Sequence, residues 1–347
     1  MVRQLRTLLV MASVLAGLTV QGQQDPHLSM FTNNPLLYNP AAAGVFPGGV
    51  RFSNNYRVQW QSLSEPLTSI VASVDFPVAT NLLENDHIAG GITFFNDETG
   101  DSRLTTTSGL ITLAYGKALD RLEQHFVSVG FQGGYAERAW VADNLFWESQ
   151  WTGSGFDQAI GSGEDETSLN KGYFDLNTGI HYFYSDRDRF RGHAGLALYH
   201  VTKPKIAFFS GDDTRMYYRY VFHGGVESGG KDAPFILAPN LMYMDQGPNR
   251  MFIAGTDFKF LLKYPTKYTG KKKEAWLSLG IYHRYQDALI GTFKLNFGGL
   301  TFGASYDLTV SNLSVPINGY GGPEFILSWK GGYKKGYRSN QANERFE

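Results

Sequence analysis

The side chains with chemical potential in this chain are its histidines, an acidic and aromatic stretch near its middle, and charges that recur at alternate positions between apolar residues. His181, His193, His200, His223 and His283 fall in runs that read as strands. No two of them have the short spacing that puts a pair of metal ligands on one face, so a metal site would need neighbouring strands to assemble it. Nucleophilic catalysis has no foothold either, because no Gly-x-Ser-x-Gly turn occurs. Gly153-Ser154-Gly155 and Gly161-Ser162-Gly163 read as flexible loop pieces, and no Gly-rich phosphate loop opens a helix. The expectation is a chain without catalysis, cofactor or metal, acting by binding. A net charge of −1 with 18% charged residues supplies no basic stripe for a nucleic acid.

The alternating charges are the informative set. Between Val50 and Trp60, Val50, Phe52, Tyr56, Val58 and Trp60 fall on one face and Arg51, Ser53, Asn55, Arg57 and Gln59 on the other. The next run sets Ile70, Ala72, Val74 and Phe76 against Ser69, Ser73 and Asp75, and a later one opposes Phe252, Ala254, Phe258 and Phe260 to Asp257 and Lys259. Phe293, Leu295 and Phe297 alternate with Lys294 and Asn296, and after Gly298-Gly299, a hairpin signal, the pattern resumes through Leu308. A period of two with one greasy and one watery face is what a closed barrel in an outer membrane needs. A charge on its lipid face would cost roughly 2–4 kcal/mol at the bilayer midplane. Arg51, Arg57, Asp75, Asp257, Lys259 and Lys294 are therefore assigned to the lumen, where pairing with one another is favoured over lining a pore.

About fourteen such runs lie between Gly49 and Lys330, and the expected fold is all-β, a transmembrane antiparallel up-and-down β-barrel. A pair of secreted β-sandwiches is the alternative that also alternates. Arg3 and Arg6 before the apolar run Leu8 to Val20 read as a signal peptide over 1–22, too short to span a bilayer as a helix. The rest divides into a turn-rich segment 23–48, the barrel 49–330 and a polar periplasmic tail 331–347. With no Cys, neither a lipid anchor on sulfur nor a disulfide framework is available. Two surfaces stand out as docking candidates. The Ala139 to Lys171 connection, expected at the cell surface, carries Asp143, Glu148, Asp157, Glu164, Asp165 and Glu166 with Trp140, Phe146, Trp147, Trp151 and Phe156; it either docks a protein or buries its aromatics on itself. On the other rim, Lys263, Lys267, Lys271, Lys272 and Lys273 crowd one turn, and Lys330, Lys334, Lys335 and Arg338 begin the tail.

Upstream of the first strand, Asp25-Pro26 is followed by Asn34-Pro35-Leu36-Leu37-Tyr38-Asn39-Pro40-Ala41-Ala42-Ala43-Gly44 and then by Arg57-Val58-Gln59-Trp60. In this order the pieces resemble the start of the PorP/SprF family of outer-membrane proteins, associated with the type IX secretion system of Bacteroidetes. Tyr173 to Ile180, Gly195 to Pro204, Ser305-Tyr306-Asp307 and Gly321 to Glu324 continue the likeness. The last strand, with Phe325, Leu327 and Trp329 on one face after Gly322, resembles the C-terminal signal read by barrel-assembly machinery, although the chain runs on to Glu347. The resemblance implies an outer-membrane component of secretion and gliding machinery. Such a component helps secrete, or retains at the surface, a large cargo protein with a C-terminal sorting domain. The competing class is a channel for small solutes or hydrophobic compounds.

Two Asn-Pro pairs a few residues apart resist both helix and strand, so the box Asp25, Pro26, Asn34, Pro35, Asn39, Pro40 and Gly44 is expected to fold as consecutive turns. Leu36, Leu37 and Tyr38 between them need burial. A barrel of this size encloses more room than its wall side chains fill. The segment Gln24 to Phe46 is expected to enter the lumen as a plug, or else to lie across the rim.

Overall fold

A computed structural model describes residues 25–332, apart from 61–65, 81–84, 101–102, 141–145, 158, 162–169, 187–188, 209–212, 230–232, 265–273 and 312–318. The signal-peptide region 1–22, Gln24, the lysines 267 and 271–273, the acids 143 and 164–166, and the tail beyond Gly332 lie outside the described residues. Fourteen strands account for the fold: β1 (Val50–Gln59), β2 (Leu67–Thr80), β3 (Asp86–Thr99), β4 (Leu104–Ala118), β5 (His125–Ala139), β6 (Asn170–Ser185) and β7 (Phe190–Tyr199), then β8 (Arg219–Ser228), β9 (Phe235–Gln246), β10 (Asn249–Lys263), β11 (Ala275–Arg284), β12 (Ala288–Phe297), β13 (Leu300–Thr309) and β14 (Tyr320–Gly331). Each pairs antiparallel with its sequence neighbours, and β1 pairs with β14 from Val50↔Gly331 to Arg57↔Glu324, so the sheet closes. Closure leaves no open edge, which a sheet in hydrocarbon cannot tolerate.

The alternation sorts the two faces as the sequence requires. Along β1, Arg51, Ser53, Asn55, Arg57 and Gln59 are buried inside, while Tyr56 is exposed on the outside. Phe293, Leu295 and Phe297 of β12, and Phe325, Leu327 and Trp329 of β14, are exposed to the membrane side. Gly298 and Gly299 take φ of 57° and 91°, the pair of left-handed residues that a two-residue hairpin turn demands. In outer-membrane barrels short turns face the periplasm and longer loops the exterior. The end holding Gly298-Gly299 and Gly331 is therefore the periplasmic end, and the end holding Trp140, residues 146–157 and His200 is the outer end.

Several strand ends differ from the sequence reading by a few residues, most informatively where β7 ends and β8 begins. The alternation from Phe190 continues to Thr202, but β7 stops at Tyr199, because His200 (φ 60°) and Lys203 (φ 45°) turn the chain away from the wall. Beyond β7, Lys205 is instead bridged to Arg215, and Ile206 and Met216 pack on Ala136 and Tyr173. His200 consequently sits at the strand's outer end rather than within it, and β8 begins at Arg219, not Arg215.

Inside the wall lies the N-terminal segment. Its turns are three single 3₁₀ turns, Phe31–Asn33, Pro35–Leu37 and Pro40–Ala42, the last two opened by a proline whose fixed φ suits a first helical position. Leu28, Met30, Leu36, Tyr38, Ala41 and Ala43 are buried against inward-facing wall residues, so this segment is the core of the molecule.

Candidate functional site: the lumen and its occupant

The segment runs the height of the barrel, and its path can be followed contact by contact. At the periplasmic end, Gly49 donates its N–H to the Gly331 carbonyl. Just above, Asp75 of β2 is the anchor: it accepts from Gly44 N at 2.8 Å and from Arg51 Nε and Nη2 at 2.8 Å each, while Arg51 also reaches the Ala42 carbonyl. Gly44 holds φ of +72° and stands directly against Ala89 and His87, a place where a side chain would meet the wall. At mid-height the Asn39 side chain works in both directions. Its oxygen caps the third 3₁₀ turn by accepting from Ala41 N, and its nitrogen donates to the Ile180 carbonyl at 3.0 Å and to His223 Nε2 at 3.1 Å. Pro40 and Ala41 press their backbone onto Gly130 of β5, where any Cβ would collide with them. Asn34 accepts from Ser73, and Asn33 donates to Asn55.

Towards the outer end the contacts become ionic. Ser29 N and Met30 N donate to Glu324, at 2.6 and 3.2 Å, and Ser29 Oγ donates to Asp307 at 2.8 Å. Arg57 ties this cluster together, pairing with Asp307 at 2.7 Å, lying 3.9 Å from Glu324 and donating to the His27 carbonyl, while Arg284 pairs with the same Asp307. Asp25 ends the described path among outer-end residues. It takes His200 Nε2 at 2.7 Å, Arg219 Nη1 at 3.0 Å and, through its N–H, Gln246 at 2.9 Å, while Pro26 lies beside it. His200 donates its second ring nitrogen to Asp175 at 3.0 Å.

This latch sets its own protonation. Burial alone would lower His200, but the Asp25 and Asp175 carboxylates overcome it and raise the imidazole to about 9. Burial would likewise raise Asp25, yet His200 and Arg219 hold it well below the ordinary carboxylate range. The pair is thus charged on both sides at neutral pH.

Around the upper part of the segment the lumen is greasy. Leu28, Phe31, Leu37 and Tyr38 pack against Tyr199, Val221, Met242, Met244, Ile253, Tyr282 and Ile290, inward residues from the outer halves of β7 to β12. Below this layer the lumen is hollow: a cavity of about 770 Å³ lies between the segment, strands β6–β14 and Arg51 of β1, and reaches the periplasmic rim at Pro47, Gly298 and Gly299. Its wall carries Arg191, Glu227, Asp257, Lys259, Lys294 and Lys330. Three histidines from adjacent strands meet there as well. The rings of His181, His193 and His223 have centroids 5.6–5.8 Å apart, and among the described residues no group of three acids or histidines is arranged to hold a metal ion.

Every charge assigned to the lumen lies inside, in a pair. Arg51 meets Asp75, Arg57 meets Asp307, Lys294 meets Asp257 at 2.9 Å, and Lys259 meets Glu227. The outer aromatics divide. Trp140 stacks on Phe208 with centroids 4.9 Å apart, and Trp147 is half-buried, its backbone N–H donating to Gln150 Oε1. Trp151 and Phe156 are half-exposed and pack edge to face, with Phe146 beside them, forming an aromatic knot outside the barrel.

Sequence reasoning missed Asp307, Glu324, Arg284, Arg219 and the histidine cluster as a connected set. Alternation could place each inward, but their meeting depends on the register between strands, and for Arg57 with Asp307 on strands 250 residues apart.

A search of curated proteins finds no match to the chain. By fold the barrel is similar to the toluene transporter TbuX of Ralstonia pickettii, at 9% identity over 86% of this chain and 92% of that chain with a TM-score of 0.46. It is similar also to the P. putida toluene transporter TodX, at 10% identity over 86% and 94% with a TM-score of 0.45. The Haemophilus ducreyi BamA lacking POTRA domains 1–3 matches at 8% identity over 82% and 70%, with a TM-score of 0.42. These likenesses concern the barrel as a fold. The model of the family described as type IX secretion system membrane protein PorP/SprF matches residues 20–328, and the chain belongs to that family.

Proposed function

We propose that this outer-membrane barrel works by binding rather than by conduction or catalysis, and that it helps secrete, or retains at the cell surface, a large partner protein carrying a C-terminal sorting domain. The observation that carries the reading is the occupied lumen. A segment fixed at one end by the buried Asp75 and at the other by its own Asp25 on His200 and Arg219, and wrapped in an apolar layer between, leaves the outer end as a capped surface suited to holding another protein. Family membership supports partners within the secretion machinery. The N-terminal segment acts as a plug in this scheme, the export signal ahead of it is cleaved, and contact with gliding components falls to the periplasmic face.

The docking element on the outer face is the aromatic knot of Phe146, Trp151 and Phe156, because exposed large aromatics supply most of the energy in protein interfaces. Its test is surface retention of the secreted partner in cells carrying Trp151→Ala with Phe156→Ala. Partner released to the medium, with barrel level unchanged, is the expected outcome; wild-type retention rejects the knot as the docking element.

A further inference from the structure

The hollow half of the lumen has an inner end, at Phe31, Tyr38 and Met242, and an uneven charge. Cations converge on it from four walls: Arg51 of β1, Lys330 of β14, Arg191 of β7 and Lys259 of β10. Two carboxylates answer them. Asp75 holds Arg51, and Glu227 divides its oxygens between Arg191, at 2.8 Å, and Lys259. Lys330 lies within electrostatic reach of Arg51, Lys259, Arg191 and Glu227, and among the described residues no carboxylate forms an ion pair with it. Lys294 and Asp257 neutralise each other deeper in, and a third acid, Glu274, stands at the rim, so four cations against three carboxylates leave an excess of one positive charge. Trp276 and Ile326 add apolar wall, and His181, almost fully buried, belongs to the same lining.

We propose that this vestibule is a binding pocket for a short acidic peptide segment, its carboxylates interleaved with apolar side chains, presented by a protein on the periplasmic side. A volume of about 770 Å³ falls in the range of pockets that enclose a ligand. Guanidinium and ammonium groups around an apolar floor are the chemistry that selects carboxylates on a greasy backbone. The chain's own tail has the wrong sign to fill it, since Lys334, Lys335, Arg338 and Arg345 outnumber Glu344 and Glu347. With Lys263 and the lysines that follow it in sequence at 267 and 271–273, between β10 and β11, that sign favours approach of an acidic segment. The proposal does not rest on cargo retention, because the ligand arrives at the opposite end of the barrel.

The test uses the full chain in neutral detergent and a fluorescein-labelled hexapeptide alternating Glu and Leu, read by fluorescence anisotropy. Saturable binding is expected, weakened about tenfold or more when Gln replaces Glu in the peptide, as loss of charge-assisted contacts requires. Lys330→Glu weakens it by a similar factor, and Ser328→Trp, which fills the pocket from β14, abolishes it. Heat-modifiable gel mobility identifies folded variants. Equal binding of the Gln peptide, binding unchanged by Ser328→Trp in a folded barrel, or absence of saturable binding overturns the pocket.

Discussion

The two halves of the lumen are built from the same alternating strands and filled by opposite means. In the outer half, Arg57 and Asp307 expose 1% and 4% of their side chains, and both lie against the N-terminal segment and a layer of Leu, Met and Tyr. In the periplasmic half, Arg51 and Asp75, held against the same segment, are as dry at 7% and 1%, whereas Arg191 and Glu227, which face the cavity, make an ion pair of nearly equal length but expose 30% and 31%. The difference teaches that the inward face of a barrel strand is not one environment: what fills the space opposite decides whether a charge is a structural bolt or a solvated lining.

That contrast can be broken most directly by deleting residues 25–48. Single-channel recordings are expected to change from closed to open, because the apolar layer loses its inner partner; unchanged conductance would remove the plug from the proposed function. Next in size is Asp307→Ala, which strands Arg57 and Arg284 in a dry site and is expected to cost about 3–5 kcal/mol, read as a lowered denaturation midpoint in detergent. Arg191→Gln in the hollow half bounds the scale from below, at less than about 1 kcal/mol; equal costs for the two variants would erase the distinction.

Between them lies the latch at Asp25, whose contribution depends on pH. His200 is raised from an ordinary 6.5 to about 9, so its share is fully present below about 6.5 and is lost as pH rises through 9. Asp25 is lowered, so its share is present above the ordinary carboxylate value and is lost only in acid. Protease cleavage near Asp25 is expected to accelerate between pH 7 and 10. His200→Gln is expected to flatten that rise and to start from the faster rate; a profile unchanged by the substitution would show that the histidine does not hold the segment.

Much of this was legible in the chain. All fourteen strands follow from the period of two, because one buried and one lipid-facing side chain per pair of residues leaves little freedom of assignment. Arg51, Arg57, Asp75, Asp257, Lys259 and Lys294 could be placed inward on the cost of charge in lipid alone. Turns at Pro35 and Pro40 followed from what proline forbids. The path of the segment did not follow, since nothing local to Asp25 says that it will meet His200, Arg219 and Gln246 at the far rim. The glycines were legible only in part: a Gly in a strand suggests a crowded wall, but that Gly130 makes room for the backbone of Pro40 and Ala41 appears only with the occupant in place. The β7 boundary failed for a related reason, because His200 and Lys203 adopt left-handed backbone that no alternation reveals.

The position of Asp25 carries a consequence for biogenesis. A strap that enters beside Gly331 and is bolted at the opposite rim cannot easily be drawn through a finished cylinder, for its buried carboxylate contacts and its snug passage at Gly130 would have to form while it slid. The simpler order lays the wall around the strap as around a mandrel, with the seam between β1 and β14 zipped last. The residues that make the seam, Arg57 and Glu324 among them, are also those that grip the strap, so sealing the cylinder and locking its axle become a single event.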